Sequence, residues 1–108
     1  MSITILQAFK VYVNTIGHEL VLDTLINLDS AEEWGIKYER PDGSRGEWKH
    51  IDGKAVRVDT TKIKHVSEAG DYNQPEVWNF MAKVKLPGEG AFDGPGGTYT
   101  MKIWDEFT

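Results

Sequence analysis

The chain has 108 residues, enough for one domain, and we predict a single β-sandwich domain over residues 1–108, with 1–8 as an N-terminal arm or an edge strand. It contains no cysteine, which excludes disulfide scaffolds, thiolate zinc sites and thiol nucleophiles and favours an intracellular site of folding. The formal net charge of -5 argues against non-specific binding of nucleic acid. The N-terminal segment has no basic n-region and no stretch reaches the roughly 20 apolar residues of a membrane helix, so we expect neither a signal peptide nor membrane insertion.

Charge is unevenly distributed along the chain. The segment 37–64 contains eight basic and five acidic residues, a balance of +3, so the remainder carries -5 - 3 = -8. One interpretation is a solvated face of mixed charge. The other is docking to a partner or to a second copy through opposite patches.

Period-2 alternation of apolar residues recurs along the chain and predicts strands with one buried face. Six such runs, separated by turn residues, favour an antiparallel sandwich or barrel over βαβ units. The alternating apolar residues are Phe9, Val11 and Val13; Leu20 and Leu22; Trp34, Ile36 and Tyr38; Val56 and Val58; Trp78, Phe80, Ala82, Val84 and Leu86; and Tyr99, Met101 and Ile103.

Turn residues divide these runs. Pro41-Asp42-Gly43 predicts a hairpin turn that returns through a strand containing Trp48, and Asp52-Gly53 predicts a second hairpin. The glycine-rich stretch 87–97 predicts a loop or a wide hairpin tip. Only Ser30–Glu33 and Thr61–Val66 are candidates for a short helical turn.

Residues able to support catalysis are present but not in recognisable patterns. His18, His50 and His65 lack metal-ligand spacing and are predicted to lie on the surface or in loops, although a metal site built from distant strands stays open. Glu32 and Glu33 would point to opposite faces of a strand, which excludes a shared-proton pair. No serine lies in a nucleophile elbow. We therefore predict no catalytic residue, no metal site and no cofactor.

The aromatic residues form two groups, and the alternation places most of them in the core. The complete predicted core, aromatic and aliphatic, is Leu22, Trp34, Ile36, Val58, Trp78, Phe80, Val84, Tyr99 and Met101. Trp48, Tyr72 and Trp104 are less clearly inward. If two of these three were exposed together, they would form a patch suited to contact with a protein or a sugar.

Several short sequence motifs follow one another in the order found in a known group of proteins. They are Leu28–Ala31 before Trp34–Lys37, Arg40–Ser44, the strand with Trp48, Val56–Thr60, and Glu68–Tyr72 before Val77–Val84. Over residues 10–104 the chain resembles the small immunoglobulin-like sandwich proteins of tailed bacteriophages and prophages, found among tail, neck and baseplate accessory proteins. It departs from them by the insertion Asn73–Glu76 and by a longer loop at Gly88–Gly97.

This resemblance implies an all-β fold, an antiparallel immunoglobulin-like sandwich of about seven strands with Greek-key connections. It implies a non-enzymatic assembly protein, located in the virion or, during assembly, in the bacterial cytoplasm. Its partners would be other virion proteins or further copies of itself, with no nucleic acid. The alternative is a carbohydrate- or surface-binding module in which Trp48, Tyr72 or Trp104 stacks on sugar rings.

Overall fold

The structure is a computed structural model that describes residues 10–105. These residues form eight strands and one 3₁₀ turn at His50–Asp52. The strands are β1 (Val11–Tyr12), β2 (Glu19–Asp23), β3 (Glu33–Glu39), β4 (Arg45–Lys49), β5 (Val56–Arg57), β6 (Lys62–Val66), β7 (Glu76–Lys85) and β8 (Ala91–Trp104). No helix among them is long and apolar enough to cross a membrane.

The strands form two sheets, one of five strands in the order β1-β8-β7-β3-β4 and one of three in the order β2-β6-β5. Both sheets contribute to one hydrophobic core, with Leu20, Leu22 and Ile63 from the smaller sheet and Trp78 and Phe80 from the larger. The molecule is therefore an all-β, sandwich-like structure in which the core lies between the sheets.

The longest predicted alternation is confirmed as β7. Trp78, Phe80, Ala82 and Val84 are buried, and the residues between them face outward. β7 pairs with β3 on one side and with β8 on the other, so it lies in the middle of the larger sheet. This alternation of buried and outward side chains is typical of a strand with one face against the core.

The Pro41-Asp42-Gly43 hairpin is also confirmed. β3 and β4 pair antiparallel on either side of it, with Tyr38 opposite Gly46. Gly43 has a φ of 88° and donates its N–H to Arg40 O at 2.9 Å. The turn places Trp48 opposite Ile36, on the buried face.

The prediction of a hairpin at Asp52-Gly53 is wrong. Gly53 instead ends the 3₁₀ turn with a φ of 73° and donates its N–H to His50 O. The chain then passes from β4 in the larger sheet to β5 in the smaller one. A glycine with positive φ serves a turn end as well as a hairpin, so the dipeptide alone does not distinguish them.

Of the two predictions for 87–97, a loop or a wide hairpin tip, the hairpin is present, because β7 and β8 pair antiparallel across this stretch, but the tip is shorter than predicted and most of the stretch is strand. β8 begins at Ala91, and the turn before it is closed by the Glu89 N–H bonded to Leu86 O. The ladder between β7 and β8 is interrupted, because Met81 opposes Thr98 while Lys83 opposes Asp93. The four residues 94–97 thus form a wide bulge opposite Ala82, and three of them are glycines with positive φ.

Neither helical candidate forms a helix. Lys62–Val66 within the second candidate is strand β6, in which Ile63 and His65 are buried. Ser30–Glu33 contains a turn residue, a bend and the first residue of β3. In the second segment, pairing of β6 with its neighbouring strands overrides weak local preference, whereas in the first only Glu33 is part of a strand.

Two predicted core residues are half-exposed. Val58 is 45% exposed because Arg57 opposes the buried Ile63, which leaves the valines on either side of Arg57 facing outward. Tyr99 faces inward opposite Phe80, yet it is also 45% exposed, because the three-stranded sheet does not cover β8 completely.

The larger sheet is mixed, whereas we predicted antiparallel strands throughout. β1 runs parallel to β8, with Val11 opposite Ile103. A parallel pair needs a long connection, and here the connection contains the six strands β2 to β7. The predicted inward Phe9 and the predicted arm at 1–8 lie outside the described residues.

Candidate functional site

The three aromatic residues predicted for partner contact do not form a shared exposed patch. Trp48 is 5% exposed and Tyr72 is fully buried, while Trp104 is half-buried at the end of β8. The ring of Tyr72 packs edge-on against Trp48 and Trp78. Trp48 and Tyr72 therefore belong to the core, and neither offers a face to a sugar ring.

Trp104 is covered by cations. The Lys10 and Lys102 ammonium groups lie 4.3 Å and 4.0 Å from the centre of its ring. These residues border an open depression of about 540 Å³ that also contains Tyr99 and Ile16. Such cation–π contacts use the electron-rich ring face that a ligand would need.

His65 is the most buried of the three histidines, at 1% exposure, so the prediction that it lies on the surface or in a loop is wrong. Its imidazole stacks on Trp48 with ring centres 3.8 Å apart. Nδ1 lies 2.6 Å from the Lys54 carbonyl oxygen, and Nε2 lies 2.7 Å from Asp71 Oδ2. The Lys54 carbonyl only accepts, so Nδ1 carries a proton, and the contact at Nε2 requires a second proton on either the imidazole or the Asp71 carboxyl group.

Tyr72 and His18 form a second buried polar contact, with 2.9 Å between the hydroxyl and Nδ1. Burial lowers the pKa of His18, although Glu19 opposes this effect. Burial also raises the pKa of Tyr72. Both shifts favour neutral groups, so the phenol O–H donates a hydrogen bond to Nδ1 of the neutral imidazole.

Ser67 is buried nearby without a catalytic partner. Its hydroxyl donates to Thr15 O at 2.9 Å and accepts the His18 backbone N–H at 2.9 Å. Both contacts are to backbone groups and fix the chain before β2. Ser67 therefore acts as a structural link rather than as part of a nucleophile–base pair.

The histidines do not converge on one point. His50 stacks on Trp34 with ring centres 4.2 Å apart, away from the contacts of His65 and His18. Within residues 10–105, no group of three or more His, Asp or Glu side chains is placed to hold a metal ion.

The basic segment 37–64 is divided between the two sheets. Lys37 and Arg45 lie on the larger sheet, where they bind Asp93 at 3.0 Å and Glu39 at 2.9 Å. Lys64 lies on the smaller sheet. The segment is therefore not one continuous patch, and several of its charges are paired locally.

The clearest exposed apolar surface is the outer side of the three-stranded sheet. We call it the valine face, defined by Val21, Val56, Val58 and Val66, each between 40% and 48% exposed. Leu20, Leu22, Ile63 and His65 occupy the alternate positions and fill the core, so these valines must face outward.

Lys64 connects the valines. The register places it between Val21 on one side and Val56 on the other. Its ammonium group reaches Glu19 at 3.3 Å, which leaves the apolar stem beside the valines. The outer side therefore carries four half-exposed valines among charged side chains, with Lys64 between Val21 and Val56 and Glu19 opposite Val66.

No direct sign of this face is visible in the sequence. Val56 and Val58 alternate as inward residues would, and the segment of β6 lies within a helical candidate. The available signal is the alternation Lys62-Ile63-Lys64-His65-Val66, which is equally consistent with a strand.

Comparison with known proteins gives no match, whether with family models, with curated proteins or with solved structures.

Proposed function

We propose that this chain is a non-enzymatic structural subunit of a tailed phage or prophage virion, an immunoglobulin-like sandwich with Greek-key connections that acts through protein–protein contacts. The similarity of its short sequence motifs to those of the small sandwich proteins of tailed phages supports a place in the virion. The valine face is the observation that carries the assembly role. Single exposed apolar residues are ordinary on a protein surface, whereas four half-exposed valines grouped on the outer side of one small sheet favour an interaction site.

The valine face is well suited to a flat protein partner. Its side chains are short and rigid, so little conformational entropy is lost when they are covered. Lys62 lies opposite Asp23 on this side of the sheet, and Lys64 pairs with Glu19 at 3.3 Å, so charges of both signs lie among the valines and can orient a partner. Such a mixture of apolar and charged groups is found in protein interfaces.

The carbohydrate-binding alternative has less support. Two of its three stacking residues, Trp48 and Tyr72, lie in the core. The third, Trp104, already has two ammonium groups on its ring.

The experiment compares V56E with V77E, because Val56 and Val77 are 48% and 44% exposed but lie on different sheets. Self-association is measured by analytical ultracentrifugation, and co-assembly by copurification with the products of neighbouring genes. V56E should weaken association at least about tenfold, whereas V77E should behave as wild type. A wild-type protein that neither self-associates nor co-assembles would contradict the proposal.

A further inference from the structure

Four strands lie at a sheet edge in the described part of the chain, and two of them, β1 and β5, have only two residues each. β2 ends the three-stranded sheet and β4 ends the five-stranded sheet, and each pairs with a neighbour on one side. An open edge carries backbone N–H and C=O groups that can pair with another strand. The edges at β2 and β4 are both five residues long.

Alternation in an antiparallel ladder fixes which backbone groups point outward from each edge. On β2, the bonds of His18 and Thr24 to the β6 side leave those of Glu19, Val21 and Asp23 on the open side. On β4, Ser44 O accepts the Arg40 N–H on the β3 side, so the backbone groups of Arg45, Glu47 and Lys49 point to the open side.

The ends of both edges have neighbours. Gly96 lies against Asp23 O, and the Lys54 N–H donates to Lys49 O at 3.1 Å. The unpaired backbone groups therefore centre on Val21 in β2 and on Glu47 in β4.

Side chains at the open positions differ in charge between the two edges. β2 presents Glu19, Val21 and Asp23, with an acid at each end. β4 presents Arg45, Glu47 and Lys49, with a base at each end. We propose that β2 of one copy pairs antiparallel with β4 of a second copy, which places Glu19 opposite Lys49 and Asp23 opposite Arg45.

Pairing of like edges is disfavoured. A full-length antiparallel pair of two β2 strands, centred on Val21, would place Glu19 opposite Asp23 at both ends. Two β4 strands centred on Glu47 would place Arg45 opposite Lys49. Like charges directly opposite each other destabilise a strand pair, whereas opposite charges stabilise it.

The antiparallel direction follows from the faces of the two strands. Residues directly opposite each other lie on the same side of a sheet, so this register continues the outer side of β2 into the outer side of β4. The buried residues of both copies then lie on the same side of the joined sheet. A parallel pair using the same backbone groups would instead join the outer side of β2 to the buried side of β4.

Each edge also has charges on its own sheet, since Glu19 binds Lys64 at 3.3 Å and Arg45 binds Glu39 at 2.9 Å. A second copy would therefore extend each pair into a short network across the interface. With one such contact per pair of copies the association is head-to-tail, and repeated contacts build a ring or an open filament. This inference rests on the proposed assembly function and names a second copy as the partner.

Charge reversal tests the contact. The variant E19K/D23K makes both edges basic, and R45E/K49E makes both acidic, so each alone should be monomeric in analytical ultracentrifugation. Mixing the two variants should restore association, because each basic edge then meets an acidic one. The quadruple variant should associate by itself, and rising salt should weaken the wild-type assembly. Circular dichroism checks that each variant is folded.

The outcomes separate this inference from the proposed function. Association of both reversed variants at wild-type strength, with V56E still defective, would overturn the edge contact and leave the assembly role intact. Failure of the mixture or of the quadruple variant to associate would also overturn the edge contact. A monomeric wild type overturns the contact, and copurification with neighbouring gene products then decides the assembly role separately.

Discussion

At the scale of single residues, His65 connects strand β6 to two other parts of the chain. Its ring bonds Lys54 O and Asp71 Oδ2 and stacks on Trp48. We expect H65L to lower the free energy of unfolding by about 2–4 kcal/mol, because it leaves Lys54 O and the Asp71 carboxyl group without their hydrogen-bond partner and removes the ring contact. Urea denaturation measures this change.

A comparison variant is D71N. Asp71 Oδ2 contacts His65 Nε2 and also accepts the Glu68 N–H, both at 2.7 Å, so an amide at this position keeps one of the two bonds and loses the other, while the Lys54 bond and the stacking on Trp48 remain. D71N should cost less than H65L. A value for H65L within about 0.5 kcal/mol of wild type, as for an ordinary surface substitution, would refute the structural role given to this histidine.

Asp42 allows a test by pH in the hairpin between β3 and β4. Its carboxylate accepts the Ser44 hydroxyl at 2.6 Å and the Ser44 N–H at 2.9 Å, and these bonds, with a further one from Gln74, lower its pKa to about 2. Because the folded pKa lies below the unfolded value, Asp42 stabilises the fold above about pH 4, and this contribution is lost as the pH falls toward 2.

Carboxyl NMR shifts recorded against pH should show the midpoint of Asp42 near 2. S44A removes the hydroxyl bond and should move that midpoint upward, toward the ordinary value. An Asp42 midpoint that is normal in the wild type, or unchanged in S44A, would mean that these hydrogen bonds do not persist in solution.

At the scale of elements, the bulge in β8 holds the two sheets together at one point. A Cβ on Gly96 would lie 2.0 Å from Asp23 O, at the end of β2, and the φ of this glycine is 83°. Gly94 has a similar φ of 79° but open space around it. The two positions therefore separate backbone strain from steric contact.

G94A should cost about 1–2 kcal/mol, from the left-handed backbone alone. G96A should cost at least about 1 kcal/mol more, because the methyl group forces β8 and β2 apart. Thermal and urea unfolding provide both values. Equal effects would show that β8 does not approach β2 closely.

The sequence predicted those elements whose pattern is local. β7 was recognised from five alternating apolar residues and the β3–β4 turn from Pro41-Asp42-Gly43. The smaller sheet was harder, because β5 has only two residues and β6 places a histidine inside between two lysines. The direction in which Val56 and Val58 point is decided by pairing with β6, a long-range contact that period-2 alternation cannot reveal. The valine face, and with it the candidate site, was missed for this reason.

At the scale of the whole molecule, the chain crosses between the sheets four times within residues 10–105: from β1 to β2, β2 to β3, β4 to β5 and β6 to β7. Neither sheet is a continuous segment, so neither can keep its pairing while the other unfolds. We therefore expect one cooperative transition, as small single domains usually show.

The test uses one truncation in each sheet, I63A in β6 and V84A in β7, both at positions with 0% exposure. Each removes buried methyl groups, and I63A should cost about 2–5 kcal/mol. Far-ultraviolet circular dichroism reports strand content, while tryptophan fluorescence reports mainly on the larger sheet, since Trp48 and Trp78 lie in β4 and β7. If unfolding is a single transition, the two probes give the same midpoint within each variant. That midpoint is lower than in the wild type, and the denaturant slope is unchanged. If I63A instead produced an early circular-dichroism change without a fluorescence change, the smaller sheet would unfold independently and the two layers would not share one core.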